Sequence, residues 1–338
     1  MELYCGIDLH SSNSVVAILN QDLEHVVCRR LPNDLKRVLR FLEPYRDELV
    51  VAAVESTYNW YWLVDGLRAA GYDVRLVNTT KASRYSEMKY TDDNHDARWI
   101  ARLLTLHILP EGYIAPVEER SLRDLLRRRS FFVQKRTDHL LSLRTLYERS
   151  TGMKVGAPAL HDWTAATVRT MVEHPLVGES LAVMLPVIRV LDMQIKKVEK
   201  MVLAEGKLRD EFRLLKTAPG IGDVLALTIM CETVEIGRFP KVGNYVSYCR
   251  CVKSEHTSNS KKKGVGNRKN GNAYLSWAYS EAAHHATRYE PLANRFYTRK
   301  RSRSHPIVAR RALAAKIARG CYYVLRDQIP FDPERAFC

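Results

Sequence analysis

Residues 3–77 switch repeatedly between a two-residue and a 3.6-residue hydrophobic period, and that alternation narrows the possible folds more than any other feature of the chain. The runs 3–8, 14–19 and 25–31 are short and β-rich, with the polar His10-Ser11-Ser12-Asn13 between the first two and Asn20-Gln21-Asp22 between the next two. Breaks that short join strands as hairpins, so the three runs read as an antiparallel meander. Pro32-Asn33-Asp34 then offers a helix start, and Leu35, Val38, Leu39 and Leu42 follow at helical spacing. A fourth strand is expected over 49–55, a helix over 60–70, a turn at Gly71-Tyr72 and a fifth strand over 74–77.

Three antiparallel strands followed by β-α-β-α is the order of a ribonuclease-H-like α/β fold, although the pattern alone also fits another α/β sandwich. After Pro110 the strand signals stop. In 121–150 the apolar Leu122, Leu125, Leu126, Val133, Leu140, Leu143 and Tyr147 sit amid Arg123, Arg127, Arg128, Arg129, Lys135, Arg136 and Arg144, so one helix face can pack while another is strongly positive. Met184, Ile188, Leu191, Ile195, Val198 and Val202 keep the 4-3-4-3-4 spacing of a coiled-coil seam. Such a seam closes either a helical hairpin within the chain or a coiled coil between chains. The second role is slightly favoured here, with Pro186 interrupting the first turn. Further on, Pro219-Gly220-Ile221-Gly222 looks like the turn of a helix-hairpin-helix, whose exposed N–H groups can bind a phosphate, but a tight helix-helix turn needs glycine in any case. The Gly- and Lys-rich stretch 254–272 is the expected mobile loop, and helices are expected over 274–285 and 308–325. The expected domains are 1–112 (α/β), 113–210 (helical, coiled-coil) and 211–338 (mainly α).

The formal net charge is +15, with 53 Lys and Arg against 38 Asp and Glu in 338 residues, which favours a polyanion as partner over an acidic small molecule. The seven cysteines are scattered without paired CxxC spacing, which points away from a zinc or redox centre and toward reduced thiols in a cytoplasm. No apolar run approaches the roughly 20 residues needed to span a bilayer, and residues 1–8 lead straight into a strand rather than resembling a signal peptide. A soluble cytoplasmic protein without a membrane partner is expected.

The chemistry is carried by acids. Asp8 ends the first strand and Glu55 the fourth, and in a ribonuclease-H-like sheet those strands are neighbours. Asp93 and Asp96 lie at i, i+3, which puts them on one face of a helix whose Ile100, Leu103 and Leu104 would pack on the sheet. Four converging carboxylates repel one another unless cations intervene. Oxygen ligands suit Mg²⁺, with Mn²⁺ as a substitute, and two such ions about 4 Å apart can stabilise both the attacking and the leaving oxygen of a phosphodiester. Taken singly, each acid has an ordinary explanation as a strand end, a surface residue or a helix cap, and Asp92 stays open as a further candidate.

At these residues the chain resembles the DEDD transposases of bacterial insertion sequences, whose N-terminal domain is like that of the RuvC Holliday-junction resolvase. The matching pieces are Gly6-Ile7-Asp8, Val54-Glu55-Ser56-Thr57-Tyr58 and Asp93-Asn94-His95-Asp96-Ala97-Arg98, then Pro219-Gly220-Ile221-Gly222, Thr257-Ser258-Asn259 and Arg268-Lys269-Asn270-Gly271-Asn272. The resemblance implies a RuvC-like catalytic domain and a C-terminal domain with a serine nucleophile, carried over to Ser258, with Ser260 as second choice. It also implies recombination directed by a noncoding bridge RNA. Two departures bear on the serine: Asn259 stands where the family has glycine, and Arg250-Cys251-Val252-Lys253 replaces a Gly-Leu-x-Pro segment.

The expected protein therefore cuts and rejoins DNA through Ser258 and carboxylate-bound Mg²⁺, working as a dimer or tetramer. Arg127, Arg128, Arg129, Lys135 and Arg136 would hold nucleic-acid backbone together with Lys261, Lys262, Lys263, Arg268 and Lys269, and Arg299, Lys300, Arg301 and Arg303 add a second basic patch. The competing readings are a two-metal nuclease selective for DNA junctions, with water as nucleophile, and a nucleic-acid-binding protein without chemistry.

Overall fold

The computed structural model describes residues 1–82, 93–252, 256–258, 261–264 and 270–338, and contacts divide the chain into two compact units, Met1–Ala115 and Pro116–Cys338. The first unit is built on β1 (Leu3–Leu9), β2 (Asn13–Asn20), β3 (His25–Pro32), α1 (Leu35–Leu42), β4 (Leu49–Glu55), α2 (Tyr61–Ala69) and β5 (Val74–Val77), followed by the short α3 (Thr79–Ala82) and by α4 (Asp93–Thr105). These elements lie within a residue or two of the sequence expectation. Strand signals do not in fact stop at Pro110: β6 (Glu111–Gly112) pairs antiparallel with β5, a two-residue edge too short to carry a periodicity.

The sheet order is β3-β2-β1-β4-β5-β6, with β1 antiparallel to β2 and parallel to β4. This mixed sheet is compatible with a ribonuclease-H-like fold. Because side chains alternate across a strand, its two faces separate cleanly. Cys5, Ile7, Leu9, Ala52 and Val54 pack with Val38, Leu42, Leu63 and Leu67 from α1 and α2. The opposite face, with Tyr4, Val51 and Ala53, receives Ile100 and Leu104 of α4. Asp8 and Glu55 share the parity of that second face.

The second unit is mainly helical. It begins with α5 (Val117–Thr151), a single helix of 35 residues, continues through the short α6 (Ala157–Leu160), α7 (Ala165–Thr170) and α8 (Pro175–Ala182), and returns along α9 (Met184–Gly206). Leu143 and Tyr147 share a core with Leu185 and Ile188, while Leu122 and Leu126 share another with Val198 and Val202, so α5 and α9 run antiparallel. The seam expected to join two chains is thus covered by α5 of the same chain, which corrects the inter-chain preference. Pro186 does not break α9, because it falls in the first turn, where its missing N–H costs no helical bond.

The expected boundary at residue 210 is not a gap in packing. Leu122, Val198 and Val202 belong to the same core as residues of α10 (Asp210–Leu215), α11 (Asp223–Thr233), α12 (Val242–Tyr248), α13 (Ala273–Tyr289) and α15 (Pro306–Asp327). Between α13 and α15 lies α14 (Pro291–Arg301), and α16 (Pro333–Phe337) closes the described chain. Within the Lys-rich stretch, β7 (His256–Ser258) pairs antiparallel with β8 (Lys261–Gly264), so part of the expected mobile loop is a hairpin. Among the described residues no helix is long and apolar enough to cross a membrane.

Candidate metal centre

The site begins with a glycine. A Cβ on Gly6 would stand 2.2 Å from the backbone oxygen of Ala97 and 2.4 Å from the nitrogen of Ala101, so only glycine lets α4 lie directly on β1. That approach brings the first turn of α4, with Asp93 and Asp96, to the end of β1 where Asp8 sits. Ile7 pairs with Val54 across the parallel strands, which puts Asp8 and Glu55 one register position further on as neighbours.

Asp8 is 2% exposed. Its Oδ2 lies 3.2 Å from Nε2 of His10, and Nε2 lies 3.3 Å from Oδ2 of Asp93. Neither Asp8 Oδ2 nor His10 Nε2 makes a hydrogen bond, although both atoms are buried. Arg30 of β3 reaches Oδ2 of Asp93 at 2.5 Å and Oδ1 of Asn13 at 2.8 Å, and this guanidinium contact holds the Asp93 carboxyl below the usual carboxylate range. Glu55, half-buried, is pushed up to about 8 by burial, then by its hydrogen bond with Asp8 and by the charges of Asp8 and Asp96. Asp96 is raised as well, first by burial and then by the charge of Asp8. At neutral pH the metal-free cluster therefore keeps a proton on Glu55.

These properties fit a hard divalent cation. A buried carboxylate oxygen without a hydrogen bond, a proton retained because burial and neighbouring anions oppose ionisation, and four acids gathered in one place are conditions that a cation relieves. Asp8, His10 and Asp93 offer ligand atoms all within 4.8 Å of one another, with Glu55 and Asp96 beside them. All four expected acids are accordingly gathered at one end of the sheet, with Asp93 drawn toward His10 and Arg30. Asp92 lies outside the described residues.

Two residues escaped the sequence reading. In the sequence His10 is part of a polar hairpin break, and its place two residues after a strand-end aspartate is the signal that marks it. Arg30 carried no signal, because nothing along the chain links it to an acid 63 residues away.

The other candidate residues are placed as follows. Ser258 pairs with Lys261 in the β7–β8 hairpin, which also carries Lys262 and Lys263; Ser260, Arg268 and Lys269 lie outside the described residues. Arg127 makes two 2.7 Å bonds to Glu232, Arg129 meets Glu199 at 2.7 Å and Arg136 meets Asp192 at 2.8 Å. Those three arginines are engaged within their own unit. Arg128 stacks over Phe131, and Lys135 lies 3.4 Å from Asp138. In the Pro219–Gly222 turn, a Cβ on Gly220 would meet the backbone oxygen of Ala282 at 2.2 Å, so helix packing alone accounts for that glycine.

Residues 5–149 match the family model of DEDD transposases of the IS110 type, described as a transposase, and residues 212–298 match the model described as transposase IS116/IS110/IS902 family. The first match contains all four acids and the second contains Ser258. The chain belongs to the DEDD-type insertion-sequence transposases. A curated relative, the transposase for insertion sequence element IS1111A of Coxiella burnetii, is 25% identical over 240 residues, which cover 67% of this chain and 62% of the relative. For a DEDD-type transposase, divalent-metal dependence and the acid cluster go together.

Proposed function

We propose that this chain is a DNA transposase that cuts and rejoins DNA through Ser258, with Mg²⁺ held by Asp8, Glu55, Asp93 and Asp96 on a RuvC-like fold, and with a noncoding guide RNA selecting the sites. The observation that carries the reading is the buried Asp8 oxygen left without a hydrogen bond among three further acids. A bound divalent cation would neutralise the negative charge that develops on a phosphodiester as it is exchanged.

The chain's own groups do the rest. Arg30 fixes Asp93, and Asp8 and Glu55 would hold the cation in place of the proton that Glu55 otherwise keeps. Ser258 Oγ forms a bond to phosphorus as the bond to the strand oxygen breaks. The serine proton leaves and the departing strand end takes one up. The reverse exchange with another strand end rejoins the DNA. One ester replaces another at each step, so no external energy source is needed. Lys261, Lys262, Lys263, Arg268 and Lys269 flank Ser258 in sequence and supply positive charge to the backbone, along with Arg128 and Lys135. Contacts of that kind position without specifying, which suits a protein whose site choice is delegated to base pairing. Recombination between two sites calls for a dimer or tetramer, working in the cytoplasm.

The test is to incubate the protein with Mg²⁺, labelled DNA from the flanks of its gene and the adjacent noncoding transcript, and to look for a protein–DNA adduct that survives denaturation. The adduct should vanish in Ser258→Ala and in Asp8→Asn. If it persists in both Ser258→Ala and Ser260→Ala, the serine mechanism is wrong. Cleavage without any adduct would instead favour the nuclease with water as nucleophile.

A further inference from the structure

Mg²⁺ keeps to oxygen ligands, yet the group of potential ligands found among the described residues contains a nitrogen, Nε2 of His10, set between Asp8 and Asp93. The placement is not a loose side chain falling inward. The His10 backbone N–H donates to the Asn13 carbonyl at 2.9 Å, and the His10 carbonyl accepts from the Asn33 amide at 2.9 Å and from the Asn59 amide at 3.1 Å. Asn33 is oriented in turn by the buried Ser14 hydroxyl at 2.7 Å, and Asn59 by the Thr57 hydroxyl at 2.9 Å. Three chain segments thus hold one histidine backbone still. Its ring nitrogen is buried and faces the equally buried Oδ2 of Asp8.

The ring nitrogen lies 3.2 Å from Oδ2 of Asp8 and 3.3 Å from Oδ2 of Asp93, so in its neutral form its lone pair and the two carboxylates converge on one point and can share a cation as ligands.

We infer that His10 is a nitrogen ligand of the metal centre, so that the site is a mixed nitrogen-oxygen centre that prefers a first-row transition metal, Mn²⁺ above all, to Mg²⁺. The inference rests on the metal reading above and refines it. Imidazole suits transition metals, whereas carboxylates alone discriminate little between Mg²⁺ and Mn²⁺. The roughly one-third of the His10 side chain that remains exposed leaves the centre open on the His10 side.

The experiment uses the full-length protein and Mn²⁺ alone. Electron spin echo envelope modulation of the bound ion should show a directly coordinated ¹⁴N, which disappears in His10→Gln and persists in His95→Gln, the control for the other nearby histidine. By titration, His10→Gln should weaken Mn²⁺ binding at least about tenfold, the smallest loss expected when a metal ligand or its immediate partner is removed. Mg²⁺ binding should weaken less, so that the preference for Mn²⁺ narrows. An unchanged metal-free melting curve for His10→Gln establishes that the variant is folded. If that curve collapses, the same ¹⁴N comparison is made with His10→Asn. Mn²⁺ bound without a ¹⁴N signal overturns the role of His10 and leaves the carboxylate centre standing. Failure of Mn²⁺ to bind the wild-type protein at all overturns both.

Discussion

Each unit of the molecule buries a carboxylate to almost the same depth, and the two are treated in opposite ways. Glu232 in the helical unit is 3% exposed and fully engaged: Arg127 grips both its oxygens at 2.7 Å and the Asn272 amide donates to Oε2 at 2.7 Å. Asp8 in the sheet unit is 2% exposed, has one oxygen unpartnered, and is crowded by Glu55 and Asp96. A buried charge is retained only when something compensates it. In the helical unit the compensation is part of the chain and the result is architecture. In the sheet unit the chain sets, among the described residues, only His10 against Asp8 while further acids crowd it, an arrangement that a bound cation would relieve.

The same comparison reassigns the positive charge. From sequence, the arginines of α5 look like a surface for nucleic acid, but Arg127, Arg129 and Arg136 each meet an acid on another helix of the unit. Pairs between α5 and α9 such as Arg129–Glu199 set the register of the two helices. Net charge measures what is left after such pairing, so these three arginines offer less to a polyanion than the sequence suggests.

The sharpest way to break the comparison is to make one chemical change, carboxylate to amide, at both buried acids. Asp8→Asn should lower strand exchange on the order of a thousandfold or more, since several kcal/mol of charge stabilisation depends on the cation. It should also abolish the rise in melting temperature that divalent metal produces, while leaving the metal-free melting temperature unchanged or higher, because one repelling charge is gone. Glu232→Gln should do the reverse: a loss of about 3 kcal/mol in denaturant unfolding of the helical unit, at the lower end for a broken buried pair because Arg127 keeps a third of its side chain in water. A stable Glu232→Gln protein would show that pairing with Arg127 is not what distinguishes the buried acid of the helical unit.

Gly6→Ala comes next. Its methyl would strike backbone atoms of α4 rather than a flexible side chain, so a cost of about 1–3 kcal/mol is expected, accompanied by weaker metal binding as Asp93 and Asp96 move away from Asp8. Calorimetric unfolding and Mn²⁺ titration on the same sample would separate the two effects.

The last effect is on pH dependence. Glu55 binds its proton more tightly in the folded protein, up to about 8 against an ordinary 4.5, so the stabilising contribution of that proton is complete below 4.5 and is lost as pH rises through about 8. Metal-free protein should therefore become less stable across that interval. Glu55→Gln should flatten the slope, and saturating divalent metal should offset it, which melting curves at stepped pH would reveal.

The motif glycines show how much of the architecture was legible and how much was not. Gly6 and Gly271 both stand in family-like motifs, and sequence marks them as special without saying why. Gly6 admits α4, whereas Gly271 has a φ of +89° and lies against Tyr248, where a Cβ would meet the carbonyl oxygen at 2.5 Å. Asn272 beside it caps α13 through Tyr274 and Leu275 while its amide satisfies Glu232. The residues that resemble a catalytic signature in sequence are thus also fasteners between helices, and only their contacts reveal that second duty.

By itself the sequence determined the elements of the sheet unit, because a change of hydrophobic period is a local property that survives without knowledge of neighbours. It also singled out Asp8 and Glu55, which end strands that the topology makes adjacent. The tertiary structure alone decided that α9 packs on α5 of its own chain, because an apolar seam reads the same whichever helix covers it. It alone brought His10 and Arg30 to Asp93, contacts that span 83 and 63 residues and leave no periodic trace along the chain. The acids converge through local pattern and sheet order; the nitrogen and the guanidinium join them only because the folded backbone carries them there.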